Sequence, residues 1–166
     1  MWALVKNNSV VEIIVQPKAM TIDTIQYPKN IFKLWSASEL KSIGIYKVIQ
    51  SGSAKAANLY VNSYKDEFKD DVVTRTHINT KKNVDEVKKE LLKNINFSLF
   101  SQLEKTDWII IREQETSKAK PSDLATWRTN LRTKHAELET SINNASSISA
   151  LEAIDINSGW PEDPRT

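Results

Sequence analysis

Apolar residues follow two different rhythms along this chain, and the rhythm changes near residue 80. Before that point the apolar positions come in short β-branched and aromatic runs. Residues 2–5 and 10–15 predict two strands, because such side chains suit a half-buried pleated surface. The intervening Lys6-Asn7-Asn8-Ser9 predicts a hairpin, since asparagine tolerates the positive φ of a tight turn. Pro17 ends the second strand, and a third is expected over 21–26, stopped by Tyr27-Pro28. Ser36-Ala37-Ser38-Glu39 has the spacing of a capping box and predicts a helix of one or two turns ending near Gly44. Further strands are expected at 43–49, 59–63 and 72–78, with a loop of small residues over 51–57. The last two strands flank the polar tract 64–71, of which 66–71 reads as a solvated turn.

Beyond residue 80 the period becomes helical. Val84, Val87, Leu91, Ile95, Leu99 and Leu103 recur at spacings of three and four, which predicts a helix over 84–104; Leu92 and Phe100 widen its apolar stripe. Thr106-Asp107-Trp108 is expected to break it, leaving Ile109 to Ile111 as a short apolar segment and 113–120 as a polar, exposed connection. Pro121-Ser122-Asp123 opens a second helix over 122–144, proline being suited to a first turn. Its stripe is Leu124, Trp127, Leu131, His135, Leu138 and Ile142. Two matching stripes joined by a short connection predict an antiparallel helical hairpin. Ser149-Ala150-Leu151-Glu152 again has capping-box spacing and predicts a short final helix, and 159–166 reads as an extended tail. The expected fold class is therefore α+β: a β-rich N-terminal domain, 1–80, followed by a helical domain, 81–166, with the boundary near 80–83.

Composition narrows the function. With 23 basic and 21 acidic residues among 166, the net charge is +2. The first 80 residues carry 10 basic and 7 acidic side chains and the remainder 13 and 14, so neither part has the basic excess of a nucleic-acid or membrane-surface partner. The absence of cysteine excludes disulfides and thiolate chemistry. The chain turns polar after its first five residues, too soon for a signal-peptide core, and no apolar run approaches the ~20 residues of a membrane span. Synthesis in the cytosol is expected. Gly44, Gly52 and Gly159 are too scattered for a phosphate-cradling loop.

Candidate chemistry is thin. His77 lies in an expected strand with no second histidine nearby, and His135 falls on the apolar stripe of the second helix, where a half-buried histidine bonded across the helix pair is the expected arrangement. Two histidines in separate domains do not make a zinc set. The acids of Asp66-Glu67-Phe68-Lys69-Asp70-Asp71 are paired and lack the glycine of a calcium loop. Serine has no Gly-x-Ser-x-Gly element around it. No catalytic residue, cofactor or metal is expected. Arg128 and Arg132 lie four apart beside Trp127 and have the residue types of a binding hot spot; the plainer alternative is a core Trp127 with the arginines in ion pairs with Glu137, Glu139 or the Asp107 region. Of five tryptophans, Trp2 and Trp35 are expected in the core of the β-rich domain. Trp160, flanked by Gly159 and Pro161 beyond the last helix, either folds back onto the helix pair or docks on a partner.

Three fragments then read together: Leu103-Glu104-Lys105-Thr106-Asp107-Trp108, Trp127-Arg128-Thr129-Asn130-Leu131-Arg132 and Gly159-Trp160-Pro161-Glu162-Asp163-Pro164. In this order and approximate spacing they resemble the phage tail assembly chaperone family, over about residues 88–164. Trp127 stands where that family usually has tyrosine, and the short helix near 149–154 is extra relative to its shortest members. The front part, with Leu34-Trp35-Ser36 and Ile43-Gly44-Ile45-Tyr46, is similar to small tail-associated proteins of marine phages. The resemblance implies a non-enzymatic protein that assists assembly or attachment of tail fibres in the host cytoplasm, either leaving afterwards or remaining in the virion tail. A plain virion adaptor or decoration subunit is the alternative. Its partners would be tail-fibre or other tail proteins in a multi-chain assembly, with neither nucleic acid nor membrane. Trp108, Arg128, Arg132, Trp160, Pro161 and Pro164 are the expected partner-binding residues.

Overall fold

A computed structural model describes residues 1–165, which form an α+β protein with strands first and long helices after them. The chain divides into two compact units, Met1–Thr80 and Lys81–Thr166.

In the first unit, β1 (Trp2–Lys6) and β2 (Ser9–Ile14) pair antiparallel around a turn in which Asn7 and Asn8 have φ of 49° and 62°. Two consecutive positive φ values match the right-handed twist of the flanking strands, so the asparagines set the expected hairpin. Next come β3 (Met20–Ile22) and β4 (Ile25–Tyr27), a separate two-stranded hairpin. The single strand expected over 21–26 is thus two, because Asp23 takes φ 54° and reverses the chain. Two short helices follow, α1 (Ile31–Leu34) and α2 (Ala37–Ser42). At the start of α2 the Glu39 backbone N–H donates to Ser36 Oγ and the Ser36 N–H to the Glu39 carboxylate, completing the capping box. This hydroxyl and backbone N–H hold the Glu39 carboxyl below its ordinary range.

β5 (Ile45–Ser51), β6 (Tyr60–Lys69) and β7 (Val72–Lys81) complete a five-stranded sheet of order β2-β1-β5-β7-β6, in which β5 runs antiparallel to β1 and parallel to β7. The tract 66–71 is not a turn throughout. It is mostly strand, and the reversal is confined to Asp70 and Asp71, whose φ values of 50° and 65° repeat the chemistry of the Asn7-Asn8 turn. Gly44 joins α2 to β5 at φ 80°, where its carbonyl accepts from Val5 N–H; a Cβ there would lie 2.7 Å from the Val5 oxygen.

Alternation along the strands gives the sheet two apolar faces. Leu4, Ile14 and Ile45 pack with Ile22, Ile31, Phe32 and Leu40, so the β3–β4 hairpin and both short helices cover one face. Trp2 and Trp35 join this core half-buried, Trp35 meeting Tyr27 edge-on at 5.8 Å. Ala3, Val5, Val48 and Val73 pack with Val10, Ile13, Tyr46 and Phe68 on the other face, which all five strands line. The edge strands β2 and β6 also touch, so the sheet curls toward a barrel.

The second unit is a helical hairpin. α3 (Val84–Thr116) and α4 (Ser122–Asn144) are antiparallel: Lys88 donates to the Asn143 carbonyl, Asn96 meets His135 and Glu113 meets Lys120. Asn83 caps α3 by accepting from the Asp85 and Glu86 N–H groups. Thr106-Asp107-Trp108 does not break the helix, and α3 runs 33 residues. These residues include no proline or glycine, and the Thr106 hydroxyl donates to the Leu103 carbonyl inside the helix. The expected connection over 106–120 shrinks to five residues, starting at Ser117 with φ 55°. Glu113 is inside α3, and the Lys120 ammonium beside it lowers its carboxyl from the ordinary value.

Val87, Leu91 and Ile95 of α3 are buried, as are Leu124, Trp127, Leu131, Leu138 and Ile142 of α4. Phe100 does not widen this stripe; it is exposed. The last helix, α5 (Ile148–Glu152), is capped two residues before the expected box: Ser147, not Ser149, is its cap and accepts from Ala150 N–H. Its Ile148 and Leu151 are buried, and α5 touches α3.

Candidate interaction surfaces of the helical unit

The most elaborate polar construction in the second unit surrounds Arg128. Its side chain is buried on α4 and reaches α3, where one guanidinium nitrogen donates to the Leu103 carbonyl at 2.9 Å and to the Thr106 hydroxyl. The other donates to Asp107 Oδ1 at 2.7 Å. A planar fork with several fixed donors suits this task, which a lysine ammonium cannot copy. Asp107 is half-exposed, so the pair keeps one side toward water.

The tail closes over the same place. Trp160 packs against the cluster of Ile109, Leu124, Trp127 and Leu131, together with Leu99 and Leu103. Its indole N–H donates to the Ile156 carbonyl, and the Trp127 indole N–H donates to the Pro161 carbonyl at 3.2 Å. Further on, Arg165 grips Asp163 and donates to the Lys105 carbonyl. The Arg165 guanidinium lowers the Asp163 carboxyl to about 2.

The six residues expected to bind a partner therefore fall into two groups. Arg128, Trp160 and Pro161 are turned inward and tie α3, α4 and the tail together. For Trp160 the fold-back alternative describes its position. Arg132 is exposed, donating to the Arg128 carbonyl, and borders a shallow groove with Ile110, Lys120 and Thr129. Pro164 is exposed at the end of the tail. Trp108 lies on the opposite side of α3 from the core, with the Arg112 guanidinium 5.0 Å from its ring center.

Trp108 does not stand alone. Phe97, Phe100, Trp108 and Ile111 are 71%, 61%, 55% and 56% exposed. Steps of three, eight and three place all four on one line of the helix, with Glu104 between the two pairs. The stripe is hidden in the sequence pattern because Phe100 reads as part of the core face and Ile111 as part of a separate apolar segment. The signal was present: once α3 is continuous, 97, 100, 104, 108 and 111 form a second helical line opposite the first.

His135 is half-buried and meets Asn96 Oδ1 at 2.7 Å, the arrangement expected for it across the helix pair. In the first unit the His77 ring meets Tyr64 at 4.6 Å, tilted by 53°, and Arg75 lies 4.0 Å over the same tyrosine ring. Among the described residues, no group of three His, Cys, Asp or Glu side chains is placed to hold a metal ion. None of their helices is long and apolar enough to cross a membrane. No protein family, curated protein or solved structure matches the chain.

Proposed function

We propose that this protein is a non-enzymatic bacteriophage tail protein that assists assembly or attachment of tail fibres, acting in the host cytoplasm among other tail proteins. The observation that carries this reading is the convergence of the three fragments on which the resemblance rests. Thr106 and Asp107 of the first, Trp127 and Arg128 of the second, and Trp160 and Pro161 of the third meet in one cluster. Residues far apart in sequence that meet in space behave as one motif. That motif defines a scaffold, and the surface it presents is left to its neighbours Arg132 and Pro164. An exposed arginine above a groove is a common anchor for an acidic segment of a partner.

The test is a pull-down of the tagged full-length chain from phage-infected cells, with the proteins identified by mass spectrometry. Recovery of a tail-fibre protein, reduced by Arg132→Ala, is the expected result. Recovery of only non-tail proteins overturns the reading. Stoichiometric presence of the chain in purified particles favours retention or an adaptor role, and its absence favours a chaperone that leaves.

A further inference from the structure

We propose that the exposed aromatic stripe of α3 is a self-association surface, on which two copies of the chain pair antiparallel about an axis at Glu104. This goes beyond the tail-protein reading and does not rest on it.

The occupant follows from area and from charge. Phe97, Phe100, Trp108 and Ile111 span four helical turns and together expose about 500 Å² of apolar surface, given the usual size of aromatic side chains. Two copies face to face bury at most about 1,000 Å² of these side chains, at the lower limit for a specific interface. An apolar surface of about 500 Å² lies within the range of the largest patch on a monomer, a patch that is often functional.

The charges flanking the stripe choose the direction. Lys93 and Glu115 lie on the same line, beyond Phe97 and Ile111 respectively. Parallel pairing sets Lys93 against Lys93, Glu104 against Glu104 and Glu115 against Glu115. Antiparallel pairing about Glu104 sets Lys93 opposite Glu115 twice, Phe97 opposite Ile111 and Phe100 opposite Trp108. Two of three like-charge contacts become ion pairs. The remaining one, Glu104 at the axis, is an exposed carboxylate on a flexible stem that reaches water at the edge of the contact. Its charge weakens the pairing without setting the register.

Sedimentation equilibrium of the full-length chain tests this, from about 1 μM to about 1 mM because an interface at this size limit associates weakly. The apparent mass is expected to rise from 18.9 kDa toward twice that value. Trp108→Ala should weaken association by about tenfold or more, as for an interface anchor. Glu104→Gln should strengthen it. Lys93→Glu should weaken it, and Lys93→Glu combined with Glu115→Lys should restore it, an outcome that antiparallel register alone gives. All these side chains are exposed, and circular dichroism checks that each variant stays helical. A chain that remains at 18.9 kDa throughout overturns the proposal and assigns the stripe to a different protein. A dimer that ignores Trp108→Ala, or a double charge swap that fails to restore pairing, overturns it as well.

Discussion

Arg128 shows how much one side chain can organise when its donors are all used. It replaces water with a carbonyl, a hydroxyl and a carboxylate drawn from three residues of α3. Removing it leaves the Thr106 hydroxyl and its surroundings buried without that donor, and breaking a buried charged contact is costly. Arg128→Ala should lower unfolding stability by about 1–3 kcal/mol, measured by chemical denaturation. Arg128→Lys should recover only a small part, because an ammonium cannot span the three acceptors. Equal stability of the alanine variant would mean the fork adds nothing net. Asp163 offers a second check at this scale. Its folded value of about 2 lies below the ordinary 3.8, so its interaction favours the folded chain above that ordinary value and is lost as pH falls through about 2. NMR titration should place its midpoint near 2, and Arg165→Gln should move the midpoint back toward 3.8. An unchanged midpoint in the variant would show that Arg165 is not the cause.

Helix α3 is continuous where its sequence invites a break, and the tail that covers it looks detachable until its contacts are traced. Trp160 buries part of its ring against the cluster of Ile109, Leu124, Trp127 and Leu131, and Pro161 supplies the acceptor for the Trp127 indole. Truncation after Asn157 should therefore destabilise the helical unit by about 2 kcal/mol or more, the usual worth of burying one large apolar side chain. Thermal melting by circular dichroism measures it. A melting temperature unchanged by truncation would make the tail an appendage. The proline at 161 contributes a second way, since a fixed φ leaves less entropy to lose when the tail docks.

At the scale of the whole molecule, each unit has its own apolar clusters. Those described for the curled sheet draw on residues of Met1–Thr80, and that described for the helical hairpin on residues of Lys81–Thr166. Separate chains of residues 1–82 and 81–166 should each melt cooperatively, the first with a β-rich and the second with a helical circular dichroism spectrum. A fragment that is soluble only in the presence of the other would contradict this. Sequence by itself determined the elements whose signals are local: the Asn7-Asn8 hairpin, the Ser36–Glu39 box and the limits of α4. Each depends on backbone conformation or on a repeat that neighbouring residues carry themselves. Tertiary structure decided the rest. The polar run 64–69 became strand because β7 lies beside it to take its hydrogen bonds. Thr106-Asp107 stayed helical, held by an arginine 22 residues further along the chain from Thr106. Trp160 turned inward and Phe100 outward, because the faces of a helix are divided between core and surface only when another element packs on one of them, and that partner is not written in the local pattern.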